Sequence, residues 1–140
     1  PALLESALSE PEKALHMVNV FSRCSLASPS GAGFWVFGAG MALGRKVLRS
    51  NPTVNVFHRG FNACNTYANG EQAMAQVTCP VLFALGEQDQ MTPAKAAQTL
   101  VKAAQAAGKA VQIRHLPSGH HQMTEAPEET LAALRDFLAQ

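Results

Sequence analysis

From Cys79 onward the apolar positions follow a strand, helix, strand, helix order. Val81-Leu82-Phe83-Ala84-Leu85 is an unbroken apolar run, as expected for a strand covered on both faces of a parallel sheet. Thr92-Pro93 offers a capping hydroxyl and a proline for the first helical position. Ala97, Leu100, Val101 and Ala104 then recur at helical spacing, and Gly108 can close that helix in a left-handed conformation. Val111 and Ile113 alternate with Gln112 and Arg114, which predicts a less protected strand over 110–116. Pro127 opens a last helix, with Glu128 and Glu129 at its positive end. Leu131, Leu134, Phe137 and Leu138 form its expected buried face.

Before Cys79 the pattern is helical. One helix is predicted from Pro11 to Arg23, with Leu15, Val18 and Phe21 as its apolar positions. The Ser/Gly/Pro/Ala-rich stretch from Ser25 to Gly33 reads as a loop. Further helices are predicted over 41–48, stopped by Ser50-Asn51-Pro52, over 54–67, and over 71–76. The chain therefore divides near Cys79-Pro80 into a helical region, 1–78, and a β-α-β-α region, 79–140.

Composition narrows the class. The 140 residues are 47% hydrophobic and 15% charged, enough to bury a core and unlike a disordered chain. A net charge of +1 gives no electrostatic case for nucleic acid or an anionic membrane, and no apolar run is long enough to span a bilayer. Cys24, Cys64 and Cys79 are odd in number and widely spaced. They suit neither a disulfide framework nor a zinc site, and a reducing cytoplasm is the expected compartment.

The two strands carry the chemistry. Asp89 lies just past the first, in Gly86-Glu87-Gln88-Asp89, and His120 just past the second, in Gly119-His120. A strand–helix–strand unit joined by a right-handed crossover brings both to the C-terminal edge of a parallel sheet, where open α/β sheets bind ligands. An acid followed by a histidine is the second half of a triad in the order nucleophile, acid, histidine, because a carboxylate must fix the tautomer of an imidazole that shuttles a proton. Taken singly, each residue reads as a turn residue; the paired placement carries the inference. No Gly-x-Ser-x-Gly turn occurs in the chain, and Ser28, Ser30 and Ser118 lack the flanking strand and helix of a nucleophile elbow. The chain is accordingly expected to be the C-terminal part of a hydrolase whose nucleophile and oxyanion donors lie upstream.

The segment from Cys79 through Gly86-Glu-Gln-Asp89 to Thr92-Pro93 resembles the acid segment of the α/β-hydrolase superfamily. Pro117-Ser-Gly-His120-His-Gln-Met-Thr-Glu125-Ala-Pro127 is similar to its histidine loop. The resemblance implies Asp89 as acid, His120 rather than His121 as base, and Glu125 as a supporting loop residue. It further implies a helical cap over 1–78, since Gly33-Phe-Trp-Val-Phe-Gly38 and Phe61-Asn-Ala-Cys-Asn-Thr-Tyr67 resemble cap segments. Phe34, Trp35, Phe37 and Met41 are then candidates to wall an apolar pocket, with cap core as their competing role. No cofactor or metal is implied.

Gly38-Ala39-Gly40-Met41-Ala42-Leu43-Gly44 mimics a dinucleotide fingerprint, but no acid stands about 20 residues downstream and no second strand follows. A small-residue helix contact accounts for these glycines better. His16 and His58 have no second ligand at metal spacing. The expected activity is hydrolysis of a small hydrophobic ester through an upstream serine with Asp89 and His120, the 140-residue chain being inactive by itself. Two alternatives stay open. One is an Asp nucleophile, as in haloalkane dehalogenases and epoxide hydrolases; the other is a non-catalytic lobe that pairs with a missing N-terminal half or with itself through exposed strand edges.

Overall fold

A computed structural model describes residues 2–23 and 33–140. Five helices come first: α1 (Ala2–Ser9), α2 (Pro11–Phe21), α3 (Gly33–Ser50), α4 (Val56–Thr66) and α5 (Gly70–Gln76). Strand β1 (Val81–Gly86), a turn of 3-10 helix (Ala94–Ala97), α6 (Gln98–Ala106) and β2 (Val111–Leu116) follow, and α7 (Gln122–Glu125) and α8 (Pro127–Leu138) complete the order. The two strands run parallel in register, Val81 opposite Val111 and Gly86 opposite Leu116. Gly108 follows α6 at φ +70, the left-handed closure that glycine tolerates. Phe83, Val101 and Ala104 form the core of this region, with Met74, Leu85 and Leu100 packed on it.

Helices α1 and α7 occupy stretches for which the sequence pattern predicts no helix, and three of the expected elements depart from it. Helix α3 begins at Gly33, eight positions before the expected start at Met41, so the Phe34–Phe37 run is helical. Tertiary packing overrides the low helix propensity of its glycines: a Cβ at Gly44 would overlap the Leu15 side chain, and one at Gly40 the Asn19 amide. Helix α3 therefore crosses α2 at close range, the small-residue contact that the glycine spacing suggested. Second, α8 buries Thr130 and Ala133, while Leu131, Leu134 and Leu138 are exposed. With two strands beneath it the helix covers one stripe, and the neighbouring leucine stripe has no partner among the described residues. Third, α5 lies on the helical side of Cys79 but packs on α6, where Gly70 meets Leu100 and Met74 joins the Phe83 core. The loop expected over 25–32 lies outside the described residues.

The free edge of β1 is partly occupied. Val81 N donates to Ala110 O and Glu87 N to Leu116 O, so the odd-numbered residues face β2 and Ala84 O faces away from it. Gln122 Nε2 donates to Ala84 O at 3.0 Å, capping a carbonyl on the side where a further strand would lie. The same arrangement draws the two strand-end loops together. Gln88 N donates to Ser118 O at 3.0 Å, and Gly86 faces Gly119 so closely that a Cβ would overlap Gly119 O and press on Ser118 O at 2.8 Å.

Because the obstacle at Gly86 is backbone, it cannot rotate away. Gly86→Ala is expected to lower the unfolding free energy by about 1–3 kcal/mol, measured by urea denaturation. Gly38→Ala, in a helical position with open space around it, is expected to be neutral or stabilising by up to about 1 kcal/mol.

Candidate active site

Asp89 and His120 meet where the two loops meet. The Asp89 side chain is 5% exposed and that of His120 39%, so a buried carboxylate stands behind a solvent-reaching imidazole. Asp89 Oδ2 lies 2.9 Å from His120 Nδ1. Its other oxygen, Oδ1, accepts from Met91 N at 2.8 Å and Thr92 N at 2.9 Å, the turn an aspartate makes with the backbone two and three residues on. The Thr92 hydroxyl donates to Asp89 Oδ2 at 3.1 Å and lies 3.2 Å from His120 Nδ1. Every donor around this carboxylate favours its charged form. Burial pushes the Asp89 pKa up, but the Thr92 backbone N–H, the bond and charge of His120, and the Thr92 hydroxyl together hold it below the ordinary 3.8.

The histidine loop is pinned from both sides. Ser22 O, just past the end of α2, accepts from His120 N at 2.9 Å and from His121 N at 3.2 Å. Buried Glu125 accepts from Gly119 N at 2.8 Å, a supporting contact one residue before the imidazole. With Nδ1 turned to Asp89, His120 Nε2 makes no hydrogen bond among the described residues and is the nitrogen left to exchange a proton. His121 is placed differently. Its ring is half-buried beside Leu15, Val18 and Gly40, and burial, then the charges of Arg23 and His120, push its pKa below 6.5.

Thr92 was expected to cap the following helix. The structure instead puts Pro93, expected at the first helical position, at the cap in an extended conformation, with the 3-10 turn opening at Ala94 and no side-chain cap, and the Thr92 hydroxyl donates to Asp89. The spacing Asp-x-x-Thr is the sequence signal for this, since an aspartate turn brings residue i+3 back over the carboxylate.

A cleft of about 640 Å³ opens beside His120. Leu3 and Leu4 of α1, Phe21 of α2 and Phe61 of α4 line one side, with Met91 and Thr92 of the acid loop opposite. Of the four residues expected to wall a pocket, the side chains of Phe34 and Trp35 lie outside the described residues. Phe37 stacks edge-on against His16 at 5.5 Å, and Met41 is buried with Asn19 Nδ2 3.5 Å from its sulfur. Neither lines the cleft at His120: both sit on the α2–α3 crossing. Leu3 and Leu4 went unnoticed because the pattern predicts no helix over residues 2–9, where α1 lies, and it marks Phe21 only as an apolar position of its helix.

The model of the dienelactone hydrolase family matches residues 16–136, a span that includes both strands and both loops. No curated protein and no solved structure is significantly similar to the chain.

The hydroxyl of Thr92 is expected to act on the carboxylate itself. Carbon NMR of labelled Asp89 should show its pKa rising in Thr92→Val and returning toward the parent value in Thr92→Ser. The folded pKa of Asp89 is depressed, so its contribution to stability is complete above about pH 3.8 and disappears as pH falls through the lower folded value. Urea midpoints measured against pH should therefore lose that acid-side slope in Asp89→Asn. For His121, also depressed, stability is expected to fall as pH drops below 6.5, a slope absent from His121→Gln.

Proposed function

The chain belongs to the dienelactone hydrolase family, within the α/β-hydrolase superfamily, and we propose that it supplies the acid and the base of a hydrolytic triad acting on a small, ester-like substrate. The observation that carries this reading is the 2.9 Å contact of Asp89 Oδ2 with His120 Nδ1 at the edge of a cleft. In the proposed reaction a serine hydroxyl attacks the ester carbonyl carbon and gives its proton to His120 Nε2. Asp89 holds Nδ1–H and stabilises the imidazolium that forms. The carbonyl–oxygen bond to the leaving group then breaks, and Nε2 returns the proton to the departing alkoxide. Water repeats the sequence on the acyl group, with His120 again as base, and releases the carboxylic acid.

The nucleophile and the oxyanion donors are proposed to come from outside these 140 residues, since no Gly-x-Ser-x-Gly turn is present. Residues 1–78 act in this reading as the helical cap and residues 79–140 as the part of the core that carries acid and base. A family named for a lactone, itself a cyclic ester, supports carbonyl attack over an Asp nucleophile opening an epoxide or displacing a halide. The exposed stripe of Leu131, Leu134 and Leu138 supports a partner surface: the remaining strands of a hydrolase core, or a second copy of the chain.

In the protein that carries the nucleophile, His120→Ala is expected to lower kcat/KM for p-nitrophenyl acetate by about a thousandfold or more. His121→Ala should cost less than about tenfold, and the reverse order would overturn the assignment. The 140-residue chain alone is expected to leave that ester intact. Turnover by the purified chain, abolished by His120→Ala, would mean that the nucleophile lies within it.

A further inference from the structure

A second concave site lies between α6 and the two strands. The register puts Phe83 opposite Ile113 and Leu85 opposite His115, and Phe83 packs on Val101 and Ala104 of α6. These odd-numbered side chains therefore share the sheet face that α6 covers. The cover is incomplete, since Ile113 remains 42% exposed. Across from it, Lys95 of the 3-10 turn and Gln98 and Lys102 of α6 recur at helical spacing and fall on one side. The result is a pocket of about 250 Å³, in which Leu85, Val101 and Ile113 give an apolar wall and Lys95, Lys102 and His115 the polar groups. None of these residues lines the cleft at His120.

We propose that this pocket binds a small amphipathic carboxylate, its hydrocarbon part against Ile113, Leu85 and Val101 and its charge toward Lys95 and Lys102. Lys13, Arg45 and Arg114 each meet an acid, Glu10, Glu12 and Asp136 in turn. Lys95 and Lys102 meet none among the described residues, and no acid described there lines their pocket. Two unneutralised ammonium groups over an exposed apolar wall match a ligand that carries both characters. The hydrocarbon part loses water favourably against the wall. The carboxylate stays at the exposed lysines, so it keeps part of its hydration and escapes the cost of a buried ion. A ring N–H of His115 adds a donor whichever nitrogen carries the hydrogen. Because an ammonium is a compact charge on a flexible stem, the pocket selects by charge and size more than by head-group geometry. Its volume suits a ligand of about ten non-hydrogen atoms, with a Kd of about 1–10 mM. The site stands apart from the triad reading and needs no turnover.

Ile113 is the only isoleucine in the chain, so a labelled isoleucine methyl gives a single NMR signal from the wall of this pocket. Titrating the 140-residue chain with hydrocinnamate is expected to move that signal saturably. Hydrocinnamamide, its neutral counterpart, should bind the same wall about tenfold more weakly. Lys102→Gln is expected to weaken hydrocinnamate about threefold, and Lys95→Gln combined with it about tenfold, with the amide unaffected in both. Retained amide binding shows that the wall survives the substitutions. Lys46→Gln removes the same charge from an exposed position of α3 and should change neither ligand. A shift of the Ile113 methyl that never saturates, or none at all, overturns the site. Equal affinities for acid and amide overturn the charge recognition, as does a loss in Lys46→Gln that matches the loss in Lys102→Gln. Joint loss of acid and amide binding in the lysine variants overturns it too, because the lysines would then be supporting the wall and not reading the carboxylate.

Discussion

A carboxylate held away from water must be surrounded by donors, and the meeting of the two strand-end loops is arranged around that requirement. Asp89 takes two backbone N–H groups, a hydroxyl and an imidazole nitrogen. These bonds offset the cost of burying its charge, and none of the four is free to move independently. The backbone donors fix the acid loop as a tight turn, and the imidazole ties that turn to a loop 31 residues away in sequence. Close approach of the loops is possible only because Gly86 has no side chain to set against Gly119.

The helical region is joined to this arrangement through its backbone. Ser22 O receives both His120 N and His121 N, so the end of α2 sets the height and tilt of the histidine loop. The α2–α3 crossing, made close by Gly40 and Gly44, in turn holds α2 in place. The cleft lies where α1, α2 and α4 face the acid loop, which gives the helical part a direct role in what reaches His120. Neighbouring histidines share a surface pocket with Met123 and Thr124 but differ beyond it: His120 also faces the cleft with Asp89 behind it, and His121 also reaches the α2–α3 crossing.

A two-stranded sheet leaves part of its covering layer without work. Helix α8 buries a stripe of small residues, and three leucines remain in solvent. On the sheet itself Gln122 takes Ala84 O on the free edge, and Asp89 N takes Gly86 O at 3.4 Å. That edge is therefore blunted near the acid loop, a known means of limiting uncontrolled strand pairing, while the leucine stripe is left without an equivalent cover.

Local pattern alone determined the order of elements after Cys79, the parallel crossover and the presence of an acid and a histidine beyond successive strands. Those features depend on hydrophobic period, proline and glycine, all of which act within a few residues of themselves. The contact of Glu125 with the histidine loop and the contact of Asp89 with His120 rather than His121 agree with what resemblance to a known superfamily implied from loop spacing. What only the tertiary structure decided was every feature that joins distant segments. The Thr92 hydroxyl turns from capping to the carboxylate because Asp89 folds the loop back on it. Gly40 and Gly44 of α3 lie against Asn19 and Leu15 because α2 crosses there, and the leucines of α8 stay exposed because two strands cannot cover two stripes. The cleft walls moved from Phe37 and Met41 to Leu3, Leu4, Phe21 and Phe61 for the same reason: helical spacing says that a residue is apolar and on a face, and only the packing of helices says what that face meets.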